Sequence, residues 1–390
     1  MNDLRTLFIR WYFNEFVDRD PLYIEMSKIS ENSPWHREST VAVHTNMVVG
    51  EFLAQSVTEG CENEWSEEEL LGAFAAAFHD VGKPAARTEA YNAERGTYYR
   101  FGGHELISAR LWEDWAVRNW EFLVREFNFS VDWIYCVGWL IENHLPWAIK
   151  KPEKRKYLAL GVSRTVVFAD YFINLLKADT WGRISDDQDE KRQKVNDWCS
   201  EFEFLFEKTL VEFEHRYVDE NAPILYIPIA AAGSGKSTFV NKLQKRDSAY
   251  ATDVFSLDEL RLRWYVEGKN IASAEDPYAY AFKKSCDDKH FKSQANAEFL
   301  NLVREGNNLV VDNVNTSRKS RAWYITEARK RGYTVTALLF PINLQTVLDR
   351  QRTRKDKAVP EDAVRKQYMR LSYPSLGEVD KIEVISGNLP

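Results

Sequence analysis

Two sets of residues in this chain have the types and spacings that chemistry needs. The first lies in the N-terminal half: His36, His44, His79 followed at once by Asp80, then His104, His144 and, further on, Asp170. Neutral imidazoles and carboxylates are natural ligands of divalent transition metals. A metal ion held by such groups could lower the pKa of a bound water. The other two histidines, His215 and His290, stand in no such context. The second set is Ala230-Ala231-Ala232-Gly233-Ser234-Gly235-Lys236-Ser237-Thr238, which fits the pattern G-x-x-x-x-G-K-[ST] with Ala230 in place of the first glycine. In such a loop, backbone N–H groups and a helix N-terminus cradle nucleotide phosphates. Lys236 would reach the β and γ phosphates, and the Ser237 hydroxyl would bind Mg²⁺. Alanine tolerates fewer backbone conformations than glycine, so the substitution bears on the entry turn alone.

A phosphate loop implies an NTP without saying what becomes of it. Ser256-Leu257-Asp258-Glu259-Leu260-Arg261 sets a carboxylate and a guanidinium three apart, on one face of a helical turn. In-line phosphoryl transfer to an alcohol needs a base or positioner for the hydroxyl, a role that suits Asp258. Arg261 could hold an acceptor phosphate by bidentate contact. A surface ion pair is the other reading of that spacing.

These residues need elements to hold them. Leu70, Leu71, Phe74, Ala75, Ala77 and Phe78 recur at helical intervals, as do Trp133, Ile134, Val137, Leu140 and Ile141. His79-Asp80 closes the first stretch, just before Val81-Gly82-Lys83-Pro84, where Gly and Pro break the helix. A helix end fixes two adjacent ligands while leaving room for water and substrate. No long alternating run stands out before about residue 218, so the first half is expected to be all-α. The pattern changes near Asp219-Glu220-Asn221-Ala222-Pro223. Ile224–Ile229 is a short β-branched run leading into the Gly-rich turn, and Leu309–Val311 and Tyr333–Phe340 are further strand candidates. Helical segments lie between them, which indicates a parallel sheet in an α/β domain. The expected fold is multidomain: an all-α domain over 1–220, then an α/β domain over 221–390. No internal repeat or low-complexity segment interrupts either part.

Composition narrows the class. With 390 residues, 44% apolar and 14% aromatic, the chain can bury two cores, and disorder is excluded. Seventeen glycines and four cysteines rule out a collagenous or disulfide scaffold. Cys61, Cys136, Cys199 and Cys286 show no CxxC spacing and read as reduced thiols of a cytoplasmic protein. No apolar run approaches the ~18 residues of a membrane span, and Met1-Asn2-Asp3-Leu4-Arg5 lacks the pattern of a signal peptide. No membrane partner is expected. The net charge of −7 hides an asymmetry. Residues 1–220 carry 25 Lys and Arg against 39 Asp and Glu, net −14, whereas 221–390 carry 27 against 20, net +7. A change of sign between halves suggests different partners for the two halves.

Longer motifs bring family resemblances. Trp35-His36-Arg37-Glu38 precedes Val43-His44-Thr45, and Phe78-His79-Asp80-Val81-Gly82-Lys83-Pro84 and Phe101-Gly102-Gly103-His104-Glu105 follow. Over roughly 30–175 the chain resembles the HD-domain phosphohydrolase superfamily, close to the subgroup found in bacterial CCA-adding enzymes. The resemblance implies His44, His79, Asp80 and Asp170 (within Val167-Phe168-Ala169-Asp170-Tyr171) as metal ligands. His104 and His144 would hold a second metal or contact the phosphate, and Lys83 would neutralise substrate charge. Mn²⁺, Co²⁺, Ni²⁺ or Zn²⁺ would serve as the metal.

The second half carries Asp312-Asn313-Val314-Asn315, Arg321-Ala322-Trp323 and Arg350-Gln351-Arg352-Thr353-Arg354-Lys355-Asp356-Lys357. From about 223 to 372 it resembles the kinase domain of bacteriophage-type polynucleotide 5′-kinase. That implies Asp258 as general base, Arg261 as acceptor-phosphate ligand, and Arg350 and Arg354, four apart on a helical face, as lid arginines over the NTP phosphates. Val314 stands where the family has Thr, which leaves the role of Asp312 open. The whole chain is similar to bacterial fusions of an HD domain with such a kinase. The implied function is end healing: phosphorylation of a 5′-OH with ATP or another NTP and Mg²⁺, and metal-dependent removal of a 3′-phosphate, 2′-phosphate or 2′,3′-cyclic phosphate. RNA or DNA ends would be the substrates, and a separate ligase would act next. Two other readings share the motifs. One is a small-molecule kinase fused to a nucleotide-hydrolysing HD domain, and the other is an NTP-dependent switch with a non-catalytic HD domain.

Overall fold

The computed structural model describes residues 3–31, 36–55, 65–93, 96–146, 158, 161, 169–214, 221–246, 251–267, 276–354 and 357–389. Met1, Asn2, Trp35, Cys61, Val167, Phe168, His215, Asp219, Glu220, Lys355 and Asp356, which entered the sequence reading, lie outside them. The chain divides into two compact units. One is Met1–Arg216 with Ser375–Glu378 and Pro390, the other Tyr217–Pro374 with Val379–Leu389.

The first unit is helical. Its elements are α1 (Leu4–Trp11), continued by a π-helical turn over Tyr12–Val17, α2 (Pro21–Ser27), α3 (Val41–Gln55), α4 (Glu67–Phe78) and α5 (Lys83–Ala86). After a hairpin of β1 (Thr88–Asn92) and β2 (Gly96–Arg100) come α6 (His104–Arg118), α7 (Trp120–Phe127), α8 (Val131–Glu142), α9 (Ala169–Trp181) and α10 (Gln188–Glu214). The hairpin departs from the all-α expectation. Its two antiparallel strands are five residues each and mostly exposed, so they carry no long alternation of apolar residues for a sequence reading to find.

The packing of this unit aims α4 at the site. A Ser66–Glu69 capping box starts α4, and every residue from Leu70 to Phe78 is buried. Phe78, the last helical residue, packs its ring 5.0 Å from Trp112 and 5.1 Å from Trp115 of α6. Aromatic contacts of this kind add about 0.5–1.5 kcal/mol each beyond burial and fix where the helix ends. Glycines allow close approach at two points. The Phe52 ring of α3 lies over Gly72, where a Cβ would sit 2.4 Å from it. A Cβ on Gly82 would fall 2.5 Å from the His104 carbonyl oxygen and 2.6 Å from the Ser108 nitrogen.

The second unit is an α/β domain. Its elements are β3 (Ile224–Ile229), α11 (Lys236–Arg246), β4 (Thr252–Phe255), α12 (Leu257–Tyr265), α13 (Pro277–Ser285), α14 (Lys289–Glu305) and β5 (Asn308–Val311). They continue with α15 (Arg318–Arg329), β6 (Thr334–Leu339), α16 (Leu344–Thr353), α17 (Glu361–Met369) and β7 (Lys381–Val384). The five strands form one sheet in the order β4-β5-β3-β6-β7, every pair parallel. β3, β5 and β6 are the three strands expected from sequence. β4 and β7 were not, because Thr252-Asp253-Val254-Phe255 and Lys381-Ile382-Glu383-Val384 are short edge strands with polar residues.

The centre of this sheet contains a proline, Pro228, which cannot donate to a ladder. The β3–β5 register runs through Leu225–Leu309 and Tyr226–Val310. Beyond it, the Asn315 side-chain amide donates to Pro228 O (3.1 Å) and Val311 O (2.9 Å), bridging the strands where the register ends. Among the described residues, no helix is long and apolar enough to cross a membrane.

Candidate functional site

The helical unit brings His44 of α3, His79 and Asp80 after α4, His104 at the start of α6, His144 after α8 and Asp179 of α9 into one buried cluster. Each imidazole is oriented the same way. His79 Nδ1 lies 2.8 Å from Ala76 O, His104 Nδ1 2.7 Å from Phe101 O, His144 Nδ1 2.7 Å from Ile141 O and His44 Nδ1 3.1 Å from Gly182 O. A carbonyl oxygen can only accept, so in each neutral ring Nδ1 carries the proton and Nε2 keeps its lone pair. Those Nε2 atoms face one another, 3.5 Å apart for His44 and His79 and 3.3 Å apart for His104 and His144. Two lone pairs at that distance repel unless a cation or a proton lies between them. This tautomer pattern is how metal-ligating histidines are held.

Asp80 stands between the two pairs. Its Oδ2 is 3.2 Å from His79 Nε2 and 3.5 Å from His44 Nε2, while Oδ1 is 3.0 Å from His104 Nε2 and 3.9 Å from His144 Nε2. Both oxygens are buried without an aligned hydrogen bond. The donor set therefore suits two borderline ions, one at His44, His79 and Asp179 and one at His104 and His144, with the Asp80 carboxylate shared. Burial alone would raise the Asp80 carboxyl, but His79 and Lys83 hold it well below the usual carboxylate range. Burial, with His104 and His79 close by, lowers His144 to about 3. Lys83 is buried, with Nζ 2.8 Å from Asp80 Oδ2 and 2.5 Å from Glu31 Oε1. Glu38 backs His44, its Oε1 3.5 Å from Nδ1, and its Oε2 lies 3.5 Å from His36 Nδ1. A cavity of about 510 Å³, lined by Asp80, Lys83, His104, His144 and Asp179 with Tyr99 and Arg100 of the hairpin, opens onto this cluster.

Asp170 is not part of the cluster. It is exposed in the first turn of α9, and Asp179 takes the carboxylate position instead, its Oδ1 3.1 Å from His44 Nε2. Nine residues at 100° each put the two aspartates on roughly opposite faces of the helix. The missed signal was periodicity: Phe172, Leu175, Leu176 and Asp179 fall at i, i+3, i+4 and i+7, so Asp179 lies on the apolar stripe and Asp170 does not. Arg183, one turn on, donates to both Asp179 oxygens at 3.2 and 3.1 Å.

In the second unit β3 runs straight into the phosphate loop. Gly233 and Gly235 adopt φ of +92° and +87°, which glycine alone takes readily. Ala230 is not among the positive-φ residues, so its position does not call for glycine's conformational freedom. Lys236 Nζ donates to Ala230 O (3.0 Å) and Ala231 O (2.8 Å), and burial lowers its ammonium to about 8 against the opposing pull of Asp312 and Asp258. Ser237 Oγ donates to Asp312 Oδ2 at 3.0 Å. Hydroxyl and carboxylate oxygens are the hard ligands Mg²⁺ takes, so this pair could hold it. Ser234 and Thr238 line the same loop, with Asp258, Arg350 and Arg354, around a cavity of about 500 Å³.

Asp258 and Arg261 share a face of α12, as their spacing suggested, and also form the ion pair that was the other reading of it. Arg261 Nη1 donates to Asp258 Oδ1 at 2.6 Å, and its Nε to Ser285 Oγ at 2.9 Å. Asn313 Oδ1 accepts from Leu257 N at 3.0 Å and so ties the start of α12 to the end of β5. Arg350 lies on α16, but Arg354 does not share its helical face. It follows the last helical residue with ψ of 125°, in extended backbone, and still reaches the cavity. Arg321, quoted in the sequence motif, is fully buried and donates to Asn315 O at 3.2 Å, a structural position. Two loop partners had no sequence signal. Gln367 Oε1 accepts from Ala232 N at 3.0 Å, and Asn388 Nδ2 donates to Ser234 O at 3.0 Å while its Oδ1 accepts from Arg350 Nη1 at 2.9 Å.

The class this defines is a P-loop, kinase-like nucleotide-binding domain behind a helical region. Residues 229–374 match the family model described as the AAA domain. Among solved structures, a chain of the Pnkp1/Rnl/Hen1 RNA repair complex aligns over 39% of this chain and 45% of its own length, with 19% identity and a TM-score of 0.31. Kti12 of Chaetomium thermophilum in complex with ADP-AlF3 aligns over 41% and 88%, with 14% identity and a TM-score of 0.30. This chain thus spans less than half the length of the repair-complex chain. No curated protein matches its sequence.

Proposed function

We propose that this protein heals nucleic-acid ends, phosphorylating a 5′-hydroxyl in its C-terminal unit and removing a terminal 3′-, 2′- or 2′,3′-cyclic phosphate in its helical unit. The observation that carries the kinase half is the placement of Asp258 on the wall of the cavity that also holds Lys236, Ser237 and Asp312. A carboxylate on the wall of that cavity, paired with a guanidinium one turn away, can position an acceptor hydroxyl while the guanidinium meets the acceptor's phosphate. In the reaction Asp258 takes the proton of the acceptor hydroxyl as its oxygen bonds to the γ-phosphorus and the bond to the β–γ bridging oxygen breaks. Lys236, Arg350 and Arg354 offset the charge on the transferred group, and Arg261 holds the acceptor phosphate. Ser237 and Asp312 would hold Mg²⁺, which screens the phosphates.

The hydrolase half rests on the four inward-facing Nε2 atoms. A metal there supplies an activated water and Lewis acidity. His44, His79, Asp80 and Asp179 would hold one ion and Asp80, His104 and His144 a second. Lys83, buried beside Asp80, keeps that carboxylate ionised and offers positive charge to a substrate phosphate. The two activities fit one task, since a break with 3′-phosphate and 5′-OH becomes ligatable after both, leaving a separate ligase to follow.

The test is to incubate the full chain with an oligonucleotide bearing 5′-OH and 3′-phosphate, in RNA and DNA forms, with ATP, Mg²⁺ and a panel of Mn²⁺, Co²⁺, Ni²⁺ and Zn²⁺, and to read both ends. The expected product has gained a 5′-phosphate with Mg²⁺ and lost its 3′-phosphate with a transition metal. An oligonucleotide unchanged at both ends would sink the reading.

A further inference from the structure

We propose that Phe282 of α13 is a stacking seat for the second nucleotide of a single-stranded acceptor, so that the kinase site discriminates a polynucleotide end from a lone nucleotide. The inference rests on the kinase reading and names a specificity residue that it does not contain.

Phe282 is 47% exposed, so part of its ring is open to solvent. Its surroundings are ordered toward the acceptor side. The Arg261 guanidinium lies over the ring, 5.1 Å from its centroid. One turn back on α13, the Tyr278 ring is 6.5 Å away at an interplanar angle of 35° and lines the phosphate-loop cavity. Tyr278 is itself pushed up to about 12 by burial and by the neighbouring Asp258 carboxylate. A continuous path therefore leads from the proposed base, past Tyr278, to the Arg261–Phe282 pair.

Chemistry selects the occupant. An exposed ring under a guanidinium offers a π-face and a phosphate ligand side by side, which are the two features that hold single strands without reading sequence. α13 reads Pro-Tyr-Ala-Tyr-Ala-Phe-Lys-Lys-Ser, with exposed Lys283 and Lys284 following Phe282 and acidic residues only beyond its ends, at Asp276 and Asp287, so two cations stand next to the ring in sequence and suit a phosphodiester chain. A phosphate held by Arg261 is the one linking the first nucleotide to the second, and the base beyond it is the group that reaches Phe282.

The experiment compares three acceptors on the full chain with ATP and Mg²⁺: a nucleoside 3′-monophosphate, which has the Arg261 phosphate but no second base, a 5′-OH dinucleotide, and a 5′-OH decamer. In the Phe282→Ala variant kcat/KM should fall about ten- to a hundred-fold for the dinucleotide and decamer, the range of one lost base–aromatic stack. It should stay within about twofold for the nucleoside 3′-monophosphate. Phe282→Trp should keep activity on all three, and ATP affinity by titration should be unchanged in both variants. An equal fall for all three acceptors would mean that Phe282 only positions Arg261, and no fall for any would mean that the ring is idle. Either result overturns the seat while leaving the kinase reading intact. A parent protein that phosphorylates none of the three overturns both.

Discussion

The histidine–aspartate cluster and the phosphate loop are built by opposite means. The loop is local: within Ala230–Thr238, backbone N–H groups and one lysine provide most of what a phosphate needs, and two left-handed glycines set their direction. The cluster is assembled: α3, α6, α9 and the turns that follow α4 and α8 contribute its side chains, the first and last in sequence being His44 and Asp179. Backbone donors come into register whenever the loop closes. Side-chain donors do so only when five helices are packed at the right depth, and each imidazole needs its own carbonyl to hold it. The loop should therefore tolerate change in its surroundings and fail at single positions, whereas the cluster should also fail through its packing.

The sharpest way to break this comparison is to disable each centre alone. Lys236→Ala should remove kinase activity by about a thousandfold or more while 3′-phosphate removal persists, and Asp80→Ala should do the reverse. End-labelled oligonucleotides read both activities in one sample, and loss of both in a correctly folded variant would mean a shared centre. Next in size is the contrast within α9. Asp179→Asn should cost more than the about 10–100-fold in metal affinity typical of an outer partner, and Asp170→Asn should change it less than twofold, both measured by metal titration. Equal effects would return Asp170 to the site.

Packing supplies a smaller, two-part effect. Gly82→Ala places a Cβ against backbone atoms of His104 and Ser108, which cannot yield as a flexible side chain would. Overpacking of this kind costs about 1–3 kcal/mol. It should displace His104 from Asp80, so hydrolase activity falls together with the melting temperature while kinase turnover at low temperature stays within about twofold. The smallest effect belongs to Ala230→Gly, which restores the loop's first glycine. Because Ala230 holds no positive φ, NTP affinity should hold within about twofold, and stability should fall by no more than the about 0.5–1 kcal/mol that separates Gly from Ala. A marked gain in affinity would show that the alanine constrains the loop after all.

The sequence alone established the broad architecture and the place of the phosphate loop in it. The phosphate loop was legible because its function lives in consecutive backbone, and β3, β5 and β6 because buried parallel strands are mostly apolar and β-branched along their length. His79-Asp80 at a helix end was legible because apolar periodicity stops at Phe78 and Gly82 and Pro84 follow. Tertiary structure decided what depends on direction. It chose Asp179 over Asp170, since either aspartate fits a pattern read as letters and only one lies on the face that α9 turns inward. It moved Arg354 off the helical face of Arg350, because the last residue of a pattern carries no record of where the helix frays. It set Gln367 and Asn388 on the phosphate loop from more than a hundred residues away. Hydrogen bonds to a backbone need only one donor or acceptor at the right point in space, and no spacing in a sequence encodes that.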